Sequence, residues 1–338
     1  MEPIFLNLIL EENCKTIGNF NDKLLVKSKW YRPIICDENK YNTFVVSKMK
    51  YNILIDSNTG RFGNQLYPIF VALSFYEHNK DKFENKIYFK NIYIYWGHLR
   101  IEPDIFDLFN DEVKQLIDIN IDEYNKVSNE PSNNYLDYTF DLPDNYQGNL
   151  KIEGYCQCAD KIDPIVIRKY FKCPENIKSK IFELYGDISN KVCLHIRRGD
   201  YVNHPGYILL SKQYCETILE RYFKNIDVIC VSDDYEWCRE NLSNIPNIIF
   251  ADKHKSILSK NLSMFYDFYI PTLTKYNVCS PSSFCMAAAT LNPNNNIYIC
   301  YPYYTNETFN SDYELSIIPD YAHKIDYELI DSQTINIK

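Results

Sequence analysis

The run His195-Ile196-Arg197-Arg198-Gly199-Asp200 is the densest concentration of reactive side chains in the chain. Guanidiniums stay charged and fork onto phosphate oxygens, so two of them together suit a pyrophosphate. A surface pair bridged to Asp200 is the plain alternative. Successive strand side chains point to opposite faces, so a loop must begin near Arg197 for both arginines to converge, and Gly199 eases it. His195 reads either as a sheet histidine or as part of the site. Ser232-Asp233-Asp234 offers acids that bind a ribose, a base edge or a metal, or that cap the next helix. In Ser280-Pro281-Ser282-Ser283-Phe284, hydroxyls stand at a helix start, where they hold a phosphate or act as N-caps. Gly60-Arg61-Phe62-Gly63-Asn64-Gln65 opens a helix after a strand. It is neither Gly-x-Gly-x-x-Gly nor a P-loop, and it reads as a ligand-facing turn or simply a tight one.

Each of these runs must sit at the end of an element. Tyr51–Ile55 reads as a buried strand, followed by a loop to Gly63 and a helix over 64–79 with Leu66, Ile69, Phe70, Leu73 and Tyr76 at helical spacing. Residues 86–96 read as one or two strands, and 160–171 and 174–184 as helices. The second half alternates more regularly. Strands are expected at 192–196, 227–231, 247–251, 277–279 and 297–301. Helices are expected at 211–224, 235–242, 264–275 and 285–291. Ser211 is the expected N-cap of the first of these, with Ile218, Leu219 and Tyr222 on one face, and Pro271 is expected to kink the third. Such alternation predicts parallel sheets covered on both faces, with ligands beyond the carboxyl ends of the strands.

Composition narrows the function classes. The chain has 338 residues, which favours two domains. Lys and Arg number 36 against 45 Asp and Glu, a formal net charge of −9, which speaks against a general nucleic-acid coat. No apolar run reaches membrane-spanning length and the mean hydropathy is −0.37, so no membrane span is expected. The N-terminus lacks the basic region and cleavage site of a signal peptide, which predicts a cytoplasmic protein. The 12 cysteines form no Cys-x2-Cys pair, and reduced, buried thiols are expected rather than a zinc or disulfide framework. Residues 1–50 show no clear period and read as an extension with little independent structure.

Taken together, these runs resemble the α-1,2-fucosyltransferases of glycosyltransferase family 11, over about residues 51–305. The resemblance rests on Gly60–Gln65, Glu153-Gly154-Tyr155-Cys156-Gln157, His195–Val202, Ser232–Cys238 and Ser282-Ser283-Phe284. The Gly60–Gln65 loop is also similar to the protein O-fucosyltransferases. The resemblance implies an α/β, GT-B-like fold of two Rossmann-like domains facing a cleft. On that plan 1–50 is an extension, 51–185 an acceptor-side domain, 186–308 a GDP-sugar-binding domain and 309–338 a tail. It implies inverting, metal-independent transfer of L-fucose from GDP-fucose to a glycan hydroxyl, in α-1,2 linkage to a galactose-type sugar. No cofactor or metal and no nucleic-acid partner is implied.

Residue by residue, Arg197 and Arg198 match the arginines on the donor pyrophosphate, and Asp200 matches the acid of that motif. Asp200 is the candidate base, or a carboxylate that orients Arg198. Asp233 and Asp234 match nucleoside-side acids, Ser282 and Ser283 match serines near the phosphates, and Gly63 and Asn64 match the loop facing the cleft. His195 joins the donor-binding set. Family members usually continue Ser-Ser-Phe-Ser-Trp-Trp. Here Ser283-Phe284 is followed by Cys285-Met286-Ala287-Ala288, which is expected to remove bulk beside the donor pocket. Two other readings stay open: a metal-dependent glycosyltransferase using Asp233, Asp234 and Glu236, and a nucleotide-sugar-binding protein without turnover.

Overall fold

The computed structural model describes residues 14–20, 23–28, 31–37, 50–56, 62–90, 111–130, 132–133, 142, 146, 148–204, 206–303 and 317–338. Gly60 and Arg61, and the 91–96 part of the expected 86–96 strands, lie outside the described residues.

The strands form three sheets. β1 (Cys14–Phe20), β2 (Lys23–Ser28) and β3 (Tyr31–Asp37) make an antiparallel meander. This corrects the expectation of little independent structure before residue 50. The strands follow one another at two-residue hairpin spacing, a signal that the polar composition hides.

A parallel sheet of order β6-β5-β4-β8-β7 comprises β4 (Tyr51–Asp56), β5 (Phe83–Phe89), β6 (Ile117–Asp118), β7 (Ser132–Asn133) and β8 (Asn149–Glu153). The largest sheet has eight strands in the order β10-β16-β15-β14-β13-β9-β11-β12. They are β9 (Val192–Ile196), β10 (Leu209–Leu210), β11 (Val228–Ser232), β12 (Ile248–Phe250), β13 (Tyr276–Cys279), β14 (Ile297–Tyr301), β15 (His323–Leu329) and β16 (Thr334–Ile337). All its pairs are parallel except β15 with β16. The stretch 309–338, expected as a tail, therefore contributes two strands. Ile325, Tyr327 and Ile335 are buried by it.

The helices are α1 (Phe62–His78), α2 (Asp111–Leu116), α3 (Ile121–Ser128), α4 (Pro164–Tyr170), α5 (Glu175–Tyr185), α6 (Lys212–Phe223), α7 (Tyr235–Leu242), α8 (Lys260–Leu273) and α9 (Ser283–Leu291). The expected 160–171 helix is split. Ala159–Lys161 is a short 3-10 turn, and α4 restarts at Pro164 with Asp163 as N-cap, its carboxylate accepting from Ile165 N–H and Val166 N–H. Proline suits the first helical position and cannot continue an earlier turn. Ser211 caps α6, accepting from Tyr214 N–H, as expected. Of its anticipated apolar face, Ile218 and Leu219 are buried but Tyr222 is exposed. No helix among the described residues is long and apolar enough to cross a membrane.

One apolar core joins the two parallel sheets. It includes Ile53 and Ile55 of β4, much of α1, and Cys193, Ile229, Val231 and Cys279 from one face of the larger sheet. The other face, with Val192, Leu194, Ile196, Val228 and Cys230, forms a second core under α6 and α7. The seam between the two α/β units is thus packed. Phe62 of α1 lies 5.3 Å from Phe268 of α8 and 5.9 Å from Phe284 of α9, ring centre to ring centre.

Candidate active site

Sheet register brings the separate motifs together. On β9, His195 pairs in register with Val231 of β11 and Cys279 of β13, so three neighbouring strands end at one level. The loops that follow carry Arg197–Asp200, Asp233-Asp234 and Ser280–Ser282. Ser280 stitches two of them: its Oγ donates to His195 O at 2.6 Å and accepts from Arg197 N–H at 2.9 Å. Sequence reasoning treated Ser280 only as part of a helix-start run, because its two partners lie far away along the chain.

The two arginines are held differently. Arg197 donates from Nη1 to Asp233 Oδ2 at 2.5 Å and from Nη2 to Asp200, and its guanidinium stands 5.1 Å from the Tyr201 ring centre. Arg198 donates from Nε to Asp234 Oδ2 at 3.3 Å, and its guanidinium lies 4.2 Å from the Trp237 ring centre. Its two Nη groups make no hydrogen bond among the described residues. Asp233 also accepts from Arg198 N–H at 2.9 Å. A Cβ on Gly199 would meet the Asp233 carboxylate, which would have to shift to admit it. Asp234 caps α7, accepting from Trp237 N–H at 3.0 Å. Both acids expected on the nucleoside side are therefore turned onto the arginine loop. Trp237, quoted only within a longer motif, is the ring that flattens Arg198, a cation–π contact worth about 0.5–2 kcal/mol.

Two helix starts meet beside this loop. An ideal Cβ on Gly63 would stand 2.6 Å from Phe284 Cα and 2.8 Å from Ser283 C. The first turns of α1 and α9 thus touch backbone to backbone. Neither first turn carries an acid, so the partial positive charge of each end is not cancelled from within. Ser282 occupies the N-cap of α9 but makes no side-chain capping bond. Asn64 accepts from Gln157 Nε2 at 2.6 Å. Gln157 closes a motif recognised in the sequence, yet only the fold shows what it orients.

His195 is 5% exposed, stacks on Phe284, and has no partner for Nδ1 among the described residues. Burial, reinforced by the Arg197 and Lys255 charges, pushes its pKa down to about 3. His195 is then neutral at working pH. The unfolded chain takes up a proton near pH 6.5 that the native chain refuses until about pH 3, so stability falls as pH drops through that window. At about pH 4.5 this one side chain is expected to cost roughly 2–3 kcal/mol. Melting the wild type and His195→Gln at neutral and acid pH checks it. An acid shift as large in the variant as in the wild type would transfer the effect to other groups.

Met286 and Ala287, where the resemblance leads to an expectation of tryptophans, are both fully buried. Ten cysteines are free thiols among the described residues. No group of three His, Cys, Asp or Glu side chains there is arranged to hold a metal.

Residues 160–322 match the model of glycosyl transferase family 11. Over 127 residues the chain is 30% identical to an alpha-1,2-colitosyltransferase of Escherichia coli, covering 35% of this chain and 42% of that protein. Over 112 residues it is 28% identical to the O-antigen biosynthesis glycosyltransferase WbnK of Escherichia coli, covering 31% of this chain and 35% of that one. The chain spans less than half the length of these relatives. The crystal structure of fucosyltransferase NodZ from Bradyrhizobium aligns with a TM-score of 0.47 and 16% identity, over 72% of this chain and 95% of that chain.

Proposed function

We propose, from the premise that residues 160–322 are a glycosyl transferase family 11 region, that this protein transfers a sugar from a GDP-sugar to a glycan hydroxyl. The observation that carries the reading is that the Arg197-Arg198 loop is tied through Ser280 to the loop leading into the uncapped start of α9, which in turn touches the start of α1. Guanidiniums and helix N-termini on adjoining loops suit an anion, and a leaving diphosphate develops charge in such a site. GDP-fucose is the proposed donor. The relative named for colitosyl transfer motivates testing a colitosyl donor beside it. The proposed transfer is metal-independent, because arginines and backbone N–H groups take the role that a divalent cation fills elsewhere, and its inverting course is taken from the resemblance to family 11. The acceptor is a galactose-type sugar, attacked through its 2-hydroxyl, with 51–185 as the acceptor side and 186–308 as the donor side. The proposed compartment is the cytoplasm, which suits the free thiols.

Calorimetric titration of GDP with EDTA present, and UDP as control, tests the donor site. Selective micromolar GDP binding is expected. Absent binding, or equal binding of UDP, would remove the donor assignment. Turnover of GDP-fucose in EDTA then tests metal independence.

A further inference from the structure

The Arg198 side chain is only 15% exposed, yet its ion pair among the described residues is a single long contact, from Nε to Asp234 Oδ2 at 3.3 Å. A charge withdrawn this far from water needs further stabilisation. Trp237 supplies it, with its ring centre 4.2 Å from the guanidinium. Both partners come from the start of α7. Asp234 is its N-cap, and the carboxylate is shared: Oδ1 accepts from Trp237 N–H at 3.0 Å while Oδ2 accepts from Arg198 Nε. Helical side chains lean toward the helix N-terminus, so an indole one turn into α7 covers the cap and the arginine that the cap holds. The indole also packs against the second core, which fixes its ring. With Nε engaged and one face covered, Nη1 and Nη2 remain as an end-on fork of the kind that takes phosphate oxygens.

We infer that Trp237 is a positioning residue for the transfer: it acts through Arg198, holding the guanidinium plane so that its Nη1–Nη2 edge meets the departing diphosphate without reorganisation. The inference rests on the reading of Arg198 as a contact of the donor diphosphate. An aromatic face suits this task better than another carboxylate. It steadies the cation without consuming its Nη donors and without placing a further negative charge beside the phosphates. Preorganised donors count most where charge develops, so the effect belongs to the leaving diphosphate more than to the intact GDP-sugar. GDP, whose terminal phosphate carries that developed charge, reports it without turnover.

The test is calorimetric titration of GDP, with EDTA present, into wild type, Trp237→Leu, Trp237→Phe, Arg198→Ala and the Arg198→Ala/Trp237→Leu double variant. Melting temperatures check that each is folded, and Trp237→Met takes the place of the leucine variant if that one is not. Leucine keeps apolar bulk but has no ring face, whereas phenylalanine keeps a smaller one. GDP is expected to bind about fivefold to tenfold more weakly to Trp237→Leu and only about twofold more weakly to Trp237→Phe. In the Arg198→Ala background the leucine substitution should change GDP affinity by less than about twofold, because no cation is left to hold. With GDP-fucose and lactose as substrates, kcat should fall in step with GDP affinity while KM for GDP-fucose moves less, a split that lost packing alone would not produce. Unchanged GDP affinity in the folded leucine variant, or an equal loss in both Arg198 backgrounds, would overturn the positioning role and leave the donor site standing. Wild-type GDP affinity in Arg198→Ala would remove Arg198 from the site and Trp237 with it. Absence of GDP binding by the wild type would overturn the donor site and the positioning role together.

Discussion

Arg198→Ala is expected to lower turnover of the GDP-sugar by about two to three orders of magnitude, the usual cost of removing one preorganised donor from a developing anion. The melting temperature should fall by only a few degrees. The Arg198 side chain is mostly buried, and the variant loses a long, partly exposed ion pair with Asp234 worth about 1 kcal/mol or less and the contact with Trp237 worth about 0.5–2 kcal/mol. Asp234 also keeps its bond to Trp237 N–H, so α7 remains capped. Arg198→Lys keeps the charge but loses the planar fork and the fit over Trp237, so it should fall between the two. Arg197→Ala should cost at least as much. Its loss strips the counter-charge from Asp200 and Asp233 and leaves both facing the phosphates. Steady-state kinetics with melting curves decides: near-wild-type turnover by folded Arg198→Ala takes that side chain out of the mechanism.

Gly63→Ala sets two effects against each other. Gly63 lies in the first turn of α1, where alanine should gain about 0.5–1 kcal/mol through helix propensity. The new methyl would stand 2.6 Å from Phe284 Cα and 2.8 Å from Ser283 C, which are helix backbone and cannot swing aside. Overpacking of this kind costs about 1–3 kcal/mol when side chains relieve it, and more when backbone must move. Separating α1 from α9 would also loosen Phe62 from Phe268 and Phe284. The steric cost wins, and a net loss of about 3 kcal/mol is expected, with weaker GDP binding in whatever fraction stays folded. Chemical denaturation measures the loss. Equal or greater stability in the variant would show that the two helix starts do not meet as described.

The limits of sequence reading fall along one physical line. The strands β9, β11 and β14 and the helix α7 were legible because each is a local pattern: a short apolar run, or apolar spacing begun by a capping acid. The arginine pair was legible because guanidinium chemistry does not depend on neighbours. Hairpin spacing before residue 50 and the strands of 323–337 were missed, since polar-looking strands declare themselves only once paired. Ser280, Trp237 and Gln157 carried no clear local signal, because what each does depends on a partner brought near by the fold.

The sequence by itself determined an alternating α/β chain with anion-binding side chains at strand ends. It did so through side-chain periodicity and chemistry, which act over a few residues. Only the tertiary structure decided that β13, β9 and β11 end at one level, that Gly63 lets two helix starts touch, and that three carboxylates share two arginines. Apart from the Arg197–Asp200 pair, those features are contacts between residues tens to hundreds of positions apart. Their existence depends on strand order and close packing, which no local pattern encodes.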